Sequence, residues 1–194
     1  MKKFELTSEF VTFLGKTLFR IKALVSFGDV AEGELGGFIE RENNLDQSGN
    51  AWVYGNAQVY GDARVCGNAQ VYGDAQVCGN AQVCGNAQVF GNAQVYGDAQ
   101  VCGDAWVYGD AQVFGNAWVQ NCRDYSATSC FGSENRTTTF FRTKDGGISV
   151  RCGCFYGTLR EFREKVKERH GDSRLAKEYL MLADLMEFRL SKDE

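Results

Sequence analysis

From Gly49 to Gln120 the chain repeats every six residues, twelve times, without one insertion or deletion. The first hexad reads GNAWVY and the last GNAWVQ, and the consensus is G-[N/D]-A-Q-V-[Y/C/F]. Gly, Ala and Val never vary at the first, third and fifth places. A strict period this short is a repeat architecture, in which each unit is too small to bury its own apolar face and must stack on its neighbours. Ala and Val two apart with Gln between them is strand alternation, so Ala and Val share one face and Gln takes the other. Gly followed by Asn or Asp tolerates the positive φ of a tight corner. Each hexad is therefore a short side plus a corner, and sides that keep turning the same way close into a coil.

The pattern is similar to that of the hexapeptide-repeat family, whose motif carries an aliphatic residue and, two before it, a small one. The resemblance implies a left-handed parallel β-helix with three sides and eighteen residues per coil; the general rule for parallel crossovers would favour the right hand. Residues eighteen apart then stack at a strand spacing of ~4.8 Å. The corner columns become Asn50, Asn68, Asn86, Asp104; Asn56, Asp74, Asn92, Asp110; and Asp62, Asn80, Asp98, Asn116. No two Asp are adjacent in any of them, which avoids stacked like charges and permits amide ladders. The places after Val give Tyr54, Tyr72, Phe90, Tyr108, then Tyr60, Cys78, Tyr96, Phe114, then Cys66, Cys84, Cys102, Gln120. The outward places give Trp52, Gln70, Gln88, Trp106, then four Gln, then Arg64, Gln82, Gln100, Trp118.

The flanks are read on the same terms. Residues 1–30 form an N-terminal β cap, a hairpin turning near Gly15 that covers an end whose backbone edges would otherwise recruit other chains. Residues 31–121 form the β-helix, with 31–48 as a degenerate first coil. There Leu35 falls in phase with the Val places, Gly37 with Gly, and Ile39 and Leu45 with Ala. Residues 3–120 resemble the N-terminal part of hexapeptide-repeat proteins carried by phages and prophages. Residues 122–194 form a C-terminal ββαα unit: TTTFFRT and ISVRCGCF read as strands around Asp145-Gly146, and Thr158 to Glu161 is a capping box opening a helix. A second helix starts near Ser173, with Leu175, Tyr179, Leu182 and Met186 at helical spacing.

Charge and composition narrow the function. The hexads carry Arg64 against Asp62, Asp74, Asp98, Asp104 and Asp110, so the β-helix offers no electrostatic footprint for nucleic acid. The start, MKKFELTSEF, has no apolar signal core and no stretch reaches spanning length, so a cytoplasmic protein without a membrane partner is expected, in a host's cytoplasm if it is phage-encoded. Enzymes of the resembling family are acyltransferases that need a His base on a coil, or carbonic anhydrases that need three His for zinc. The one His, His170, falls in a C-terminal helix, where the helix dipole favours it. No catalytic residue and no cofactor is expected. Cys122, Cys130, Cys152 and Cys154 are a candidate zinc set, although C-x-C is not the usual knuckle spacing; otherwise they are hairpin core. The column of Cys66, Cys84 and Cys102 is linear, not tetrahedral, and reads first as corner filler. Arg160, Arg163, Lys167 and Arg174 are interleaved with Glu and read as a solvated helix face, with Glu161 set against Lys165.

The function expected is binding. Trp replaces Gln at three outward places, and large aromatics on a rigid polar surface anchor interfaces. Trp106 with Tyr108, and then Trp52 and Trp118, are the expected contact residues, with the hairpin or the C-terminal unit as alternative covers for Trp52 and Trp118. The phage resemblance implies an accessory protein that inhibits a host enzyme, such as a CRISPR or other defence protein. The alternatives are a homo-oligomeric scaffold and a degenerate acyltransferase.

Overall fold

The hairpin expected at the N-terminus is β1 (Phe4–Phe13) and β2 (Lys16–Ala23), antiparallel and turning at Leu14-Gly15. A computed structural model describes residues 2–191. β3 (Leu35–Ile39) follows, then a 3-10 turn at Glu42–Asn44. The hexads fold as twelve two-residue strands, β4 (Trp52–Val53) to β15 (Trp118–Val119), one per repeat. They stack in three parallel sheets: β4, β7, β10, β13; β5, β8, β11, β14; and β6, β9, β12, β15. From Val53 to Val101 each hexad Val pairs with the Val eighteen residues on, as Val71 does with Val89 and Val89 with Val107. The chain is thus a three-sided parallel β-solenoid of about five turns, the first coil included.

Alternation puts every hexad Ala and Val inside, and Ala51 to Val119 make one continuous apolar core. On each side three backbone bonds repeat per rung, as in Gln76 N–H to Ala93 O at 2.9 Å, Cys78 N–H to Val95 O at 2.9 Å and Asn80 N–H to Gly97 O at 2.8 Å. The corner Gly is required twice over. Gly79 has φ +69°, and a Cβ there would sit 2.9 Å from the backbone N of Gly97. The corner amides form the ladder read from the columns: Asn50 to Asn68 at 3.1 Å, Asn68 to Asn86 at 3.1 Å, Asn86 to Asp104 at 3.0 Å.

The hairpin caps the stack by continuing one sheet. β2 pairs antiparallel with β3, which pairs parallel with β5. Phe4, Ile21 and Ala23 join the solenoid core. The first coil departs from the expected phase. Ile39 pairs with Val59 and Leu45 bridges Val65, so both occupy Val places, not Ala places. Leu35 is exposed, and Gly37 sits inside β3, where a Cβ would meet the Ala57 carbonyl at 2.6 Å. The six-residue spacing from Ile39 to Leu45 survives, but two extra residues separate Leu45 from Val53, around Gln47 and Ser48. Asn44 sets this phase, its buried side-chain amide donating to Gly61 O at 3.0 Å and Ala63 O at 2.8 Å.

The C-terminal unit has four strands where the sequence pattern indicates two. β16 (Tyr125–Phe131), β17 (Arg136–Arg142), β18 (Ile148–Cys152) and β19 (Phe155–Thr158) form an antiparallel meander. α1 (Leu159–His170) and α2 (Arg174–Leu190) follow. The Thr158 hydroxyl caps α1 and Glu161 completes the box. This occupies the Glu161 carboxylate, and Lys165 pairs instead with Glu168 at 2.8 Å. The sheet covers the far end of the solenoid: Tyr125 and Phe141 enter its core, and Gln112 N–H donates to the Thr139 hydroxyl at 3.0 Å. The helices pack on a second apolar cluster, around Phe140, Val150, Phe162, Tyr179 and Met186.

Candidate functional site

Strand alternation forces the fourth place of each hexad outward, so Trp106, on the last rung of its side, lies over Gln88 and faces solvent. It is 49% exposed, and Tyr108, at the adjoining corner, is 53% exposed. Tyr108 ends an aromatic ladder: its ring stacks on Phe90 at 5.3 Å, and Phe90 on Tyr72 at 4.9 Å and 1°. Beyond it Tyr125 of β16 meets it edge-on at 6.4 Å. Tyr108 is thus held between Phe90, one rung below, and the C-terminal sheet. Asp104 and Asp110 flank the pair, each accepting from the Asn one rung below, Asn86 at 3.0 Å and Asn92 at 2.9 Å. The patch is an exposed Trp beside a stacked Tyr, bordered by two exposed carboxylates on a rigid wall.

The other two Trp differ. Trp52 is fully buried, against Phe27 at 5.4 Å and Phe4 at 6.2 Å, because the hairpin closes over the first rung. It is core and presents nothing to a partner. Its Nε1 has no hydrogen-bond partner. Trp118 is 37% exposed and borders a groove with Asp124, Arg142 and Lys144.

The four candidate zinc cysteines are not brought together. Cys152 accepts from the Thr138 hydroxyl at 3.3 Å and Cys122 sits on the Asp104 carbonyl at 3.9 Å. Among the described residues no three His, Cys, Asp or Glu are placed to share a metal ion. Cys152 and Cys154 instead border a groove of about 270 Å³ between the sheet and α1, with Arg136, Lys165, Arg169 and His170 at its rim. His170 stacks on Tyr179 at 5.6 Å. Of the basic face read from the sequence, all but Lys167 are paired among the described residues: Arg163 with Asp184 at 2.7 Å and Glu187 at 2.8 Å, Arg160 with Glu164 at 3.5 Å, Arg174 with Glu178 at 3.4 Å. Glu187 and Asp184 hold the Arg163 guanidinium above its usual pKa. Cys66, Cys84 and Cys102 do stack on one side, and burial pushes the Cys84 thiol up to about 11.

Sequence reasoning missed Lys3. Its ammonium is buried at the mouth of the first coil, donating to Ala51 O at 2.9 Å and to the Ser48 and Gly49 carbonyls at 3.4 Å. No charge pattern marks it; only the folded hairpin carries it there.

Rigid inward ladders, capped ends and side chains presented at fixed intervals define a β-solenoid repeat protein. The family model of the YdcK beta solenoid repeat matches residues 57–73, 81–97, 93–109 and 99–113, a similarity confined to the hexad array. No curated protein matches the chain. Among the described residues no helix is long and apolar enough to cross a membrane.

Proposed function

We propose that the protein is a non-enzymatic binding module that contacts a protein partner through Trp106 and Tyr108. The observation that carries this is the exposure of Trp106 next to the stacked Tyr108 on a wall whose other outward places on that side are Trp52, Gln70 and Gln88. Anchors of this kind lose little conformational freedom on binding, which is the main cost of ordering a side chain at an interface. Asp104 and Asp110 beside them fit a partner whose apolar pocket has a basic rim. The partner we propose is a host enzyme, on the strength of the likeness of residues 3–120 to phage-borne hexapeptide proteins; inhibition of a defence protein belongs to that reading.

The second reading is a homo-oligomeric scaffold. It is favoured by the apolar stripe Met181, Leu185 and Phe188 on α2, which are 71%, 56% and 83% exposed. Trp106→Gln restores the consensus residue and tests the first reading, and Leu185→Glu, in the middle of the exposed stripe, tests the second. The binding-module reading expects Trp106→Gln to fold, keep the parent's mass by light scattering, and lose a stoichiometric partner that the parent retains from host lysate. A loss of mass with Leu185→Glu supports the scaffold. Unchanged mass and unchanged capture with Trp106→Gln remove Trp106 from any interface.

A further inference from the structure

One side of the solenoid differs from the others at its corner. The residue after Val is aromatic throughout one column and in three of four places in another, but on the third side it is Cys66, Cys84 and Cys102 on successive rungs. The backbone pins all three alike. Each follows a Val paired to the next rung and donates its N–H to the Val carbonyl above: Cys66 to Val83 at 3.0 Å, Cys84 to Val101 at 2.9 Å, Cys102 to Val119 at 2.8 Å. Asp46 stands below, donating to Val65 O at 2.9 Å, and Gln120 ends the column. All three thiols are free and half-buried, so small ions reach them.

Rungs stack ~4.8 Å apart. That spacing lies within the Cα range of about 4.4–6.8 Å that a disulfide spans, yet all three thiols are free. The spacing suits another bond pattern. A metal–thiolate bond is about 2.3 Å, so two in line span about 4.6 Å. Thiolates select soft ions such as Cu(I). We propose that this column binds one soft monovalent metal ion, Cu(I) or Ag(I), held in line between the sulfurs of two adjacent rungs. Two S–H bonds break and their protons leave to water, two metal–sulfur bonds form, and the ion keeps its oxidation state. Cys84 belongs to both gaps, below to Cys66 and above to Cys102. A bound ion leaves a net negative charge on the pair; Arg64 and Asp46 both act on Cys66, with opposite effects.

The test uses full-length chain with the exposed Cys122, Cys130 and Cys154 changed to Ser, titrated anaerobically with Cu(I) against a competing chelator. One tight ion per chain is expected. Cys84→Ser removes both gaps and weakens binding at least about 100-fold, since loss of an outer-shell partner alone costs about 10–100-fold. Cys66→Ser and Cys102→Ser each leave one gap and stay within about 10-fold of the parent. Equal binding by Cys84→Ser overturns the proposal, as does equal loss in all three variants. Should Cys84→Ser not fold, X-ray absorption on the copper-loaded parent decides: two sulfur ligands support the site, and any larger number or an N/O shell overturns it.

Discussion

Lys3 donates to the carbonyl of Ala51 at 2.9 Å from inside the mouth of the first coil, where Phe27 lies 4.9 Å from its ammonium. Burial lowers its pKa from 10.5 to about 8, against a smaller opposite effect from Asp46. The unfolded chain therefore holds this proton over a range in which the folded chain has lost it. The cost of the buried charge is fully present below pH 8 and is relieved as pH rises from about 8 towards 10.5. Lys3→Met has no such proton. The stability of the parent minus that of Lys3→Met, from denaturant melts at each pH, is expected to rise across that window. A flat difference contradicts the buried assignment.

Val89 is fully buried in mid-stack between Val71 and Val107. Val89→Asp places an unpaired carboxylate in the core and is expected to cost about 3–5 kcal/mol or abolish folding. Gln94→Glu, on an outward side between Gln76 and Gln112, is expected to stay within about 0.5 kcal/mol of the parent. Thermal melts of the two variants check the inward and outward assignments together.

Arg142 ties three parts of the C-terminal unit. Its guanidinium donates to Leu190 O at 2.7 Å and Ser191 O at 2.8 Å, closing the end of α2, and lies 3.3 Å from the buried carboxylate of Asp124. Asp124 in turn accepts from the N–H groups of Gln120 and Asn121, which turn the chain out of the last rung. Arg142→Met is expected to destabilise by about 2–4 kcal/mol, since it leaves a buried carboxylate short of its cation. Hydrogen exchange should rise first in the last turn of α2. Uniform protection there would show that the clamp is not needed.

His170→Ala removes a ring stacked on Tyr179 and is expected to cost about 0.5–1.5 kcal/mol while leaving partner capture unchanged. An acyl-CoA binding and transfer assay on parent and variant is the check. Activity in the parent that disappears in a folded His170→Ala would restore the acyltransferase reading.

The solenoid was legible because its period is rigid: once Gly, Ala and Val recur every six residues, the columns of Asn, Cys and Trp follow by counting. The first coil was not, because Ile39 and Leu45 fit the apolar interior at either phase, and tertiary bonds from Asn44 choose between them. β16 escaped notice because its residues are mostly Ser, Thr, Ala and Cys, and only Tyr125 is buried. Trp106 could be placed on an outward side, whereas the hairpin's closure over Trp52 depends on contacts between segments distant in sequence.

The two ends of the stack make their own contacts, and the rungs between them are nearly interchangeable. Three hexads are thus a unit of length. Deleting or duplicating residues 67–84 would move the N-terminal hairpin relative to the C-terminal sheet by one rung, ~4.8 Å, with little change to the wall between them. The chain is a gauge whose span can be altered in fixed steps, so that two contact points can be brought closer or set further apart without redesigning either.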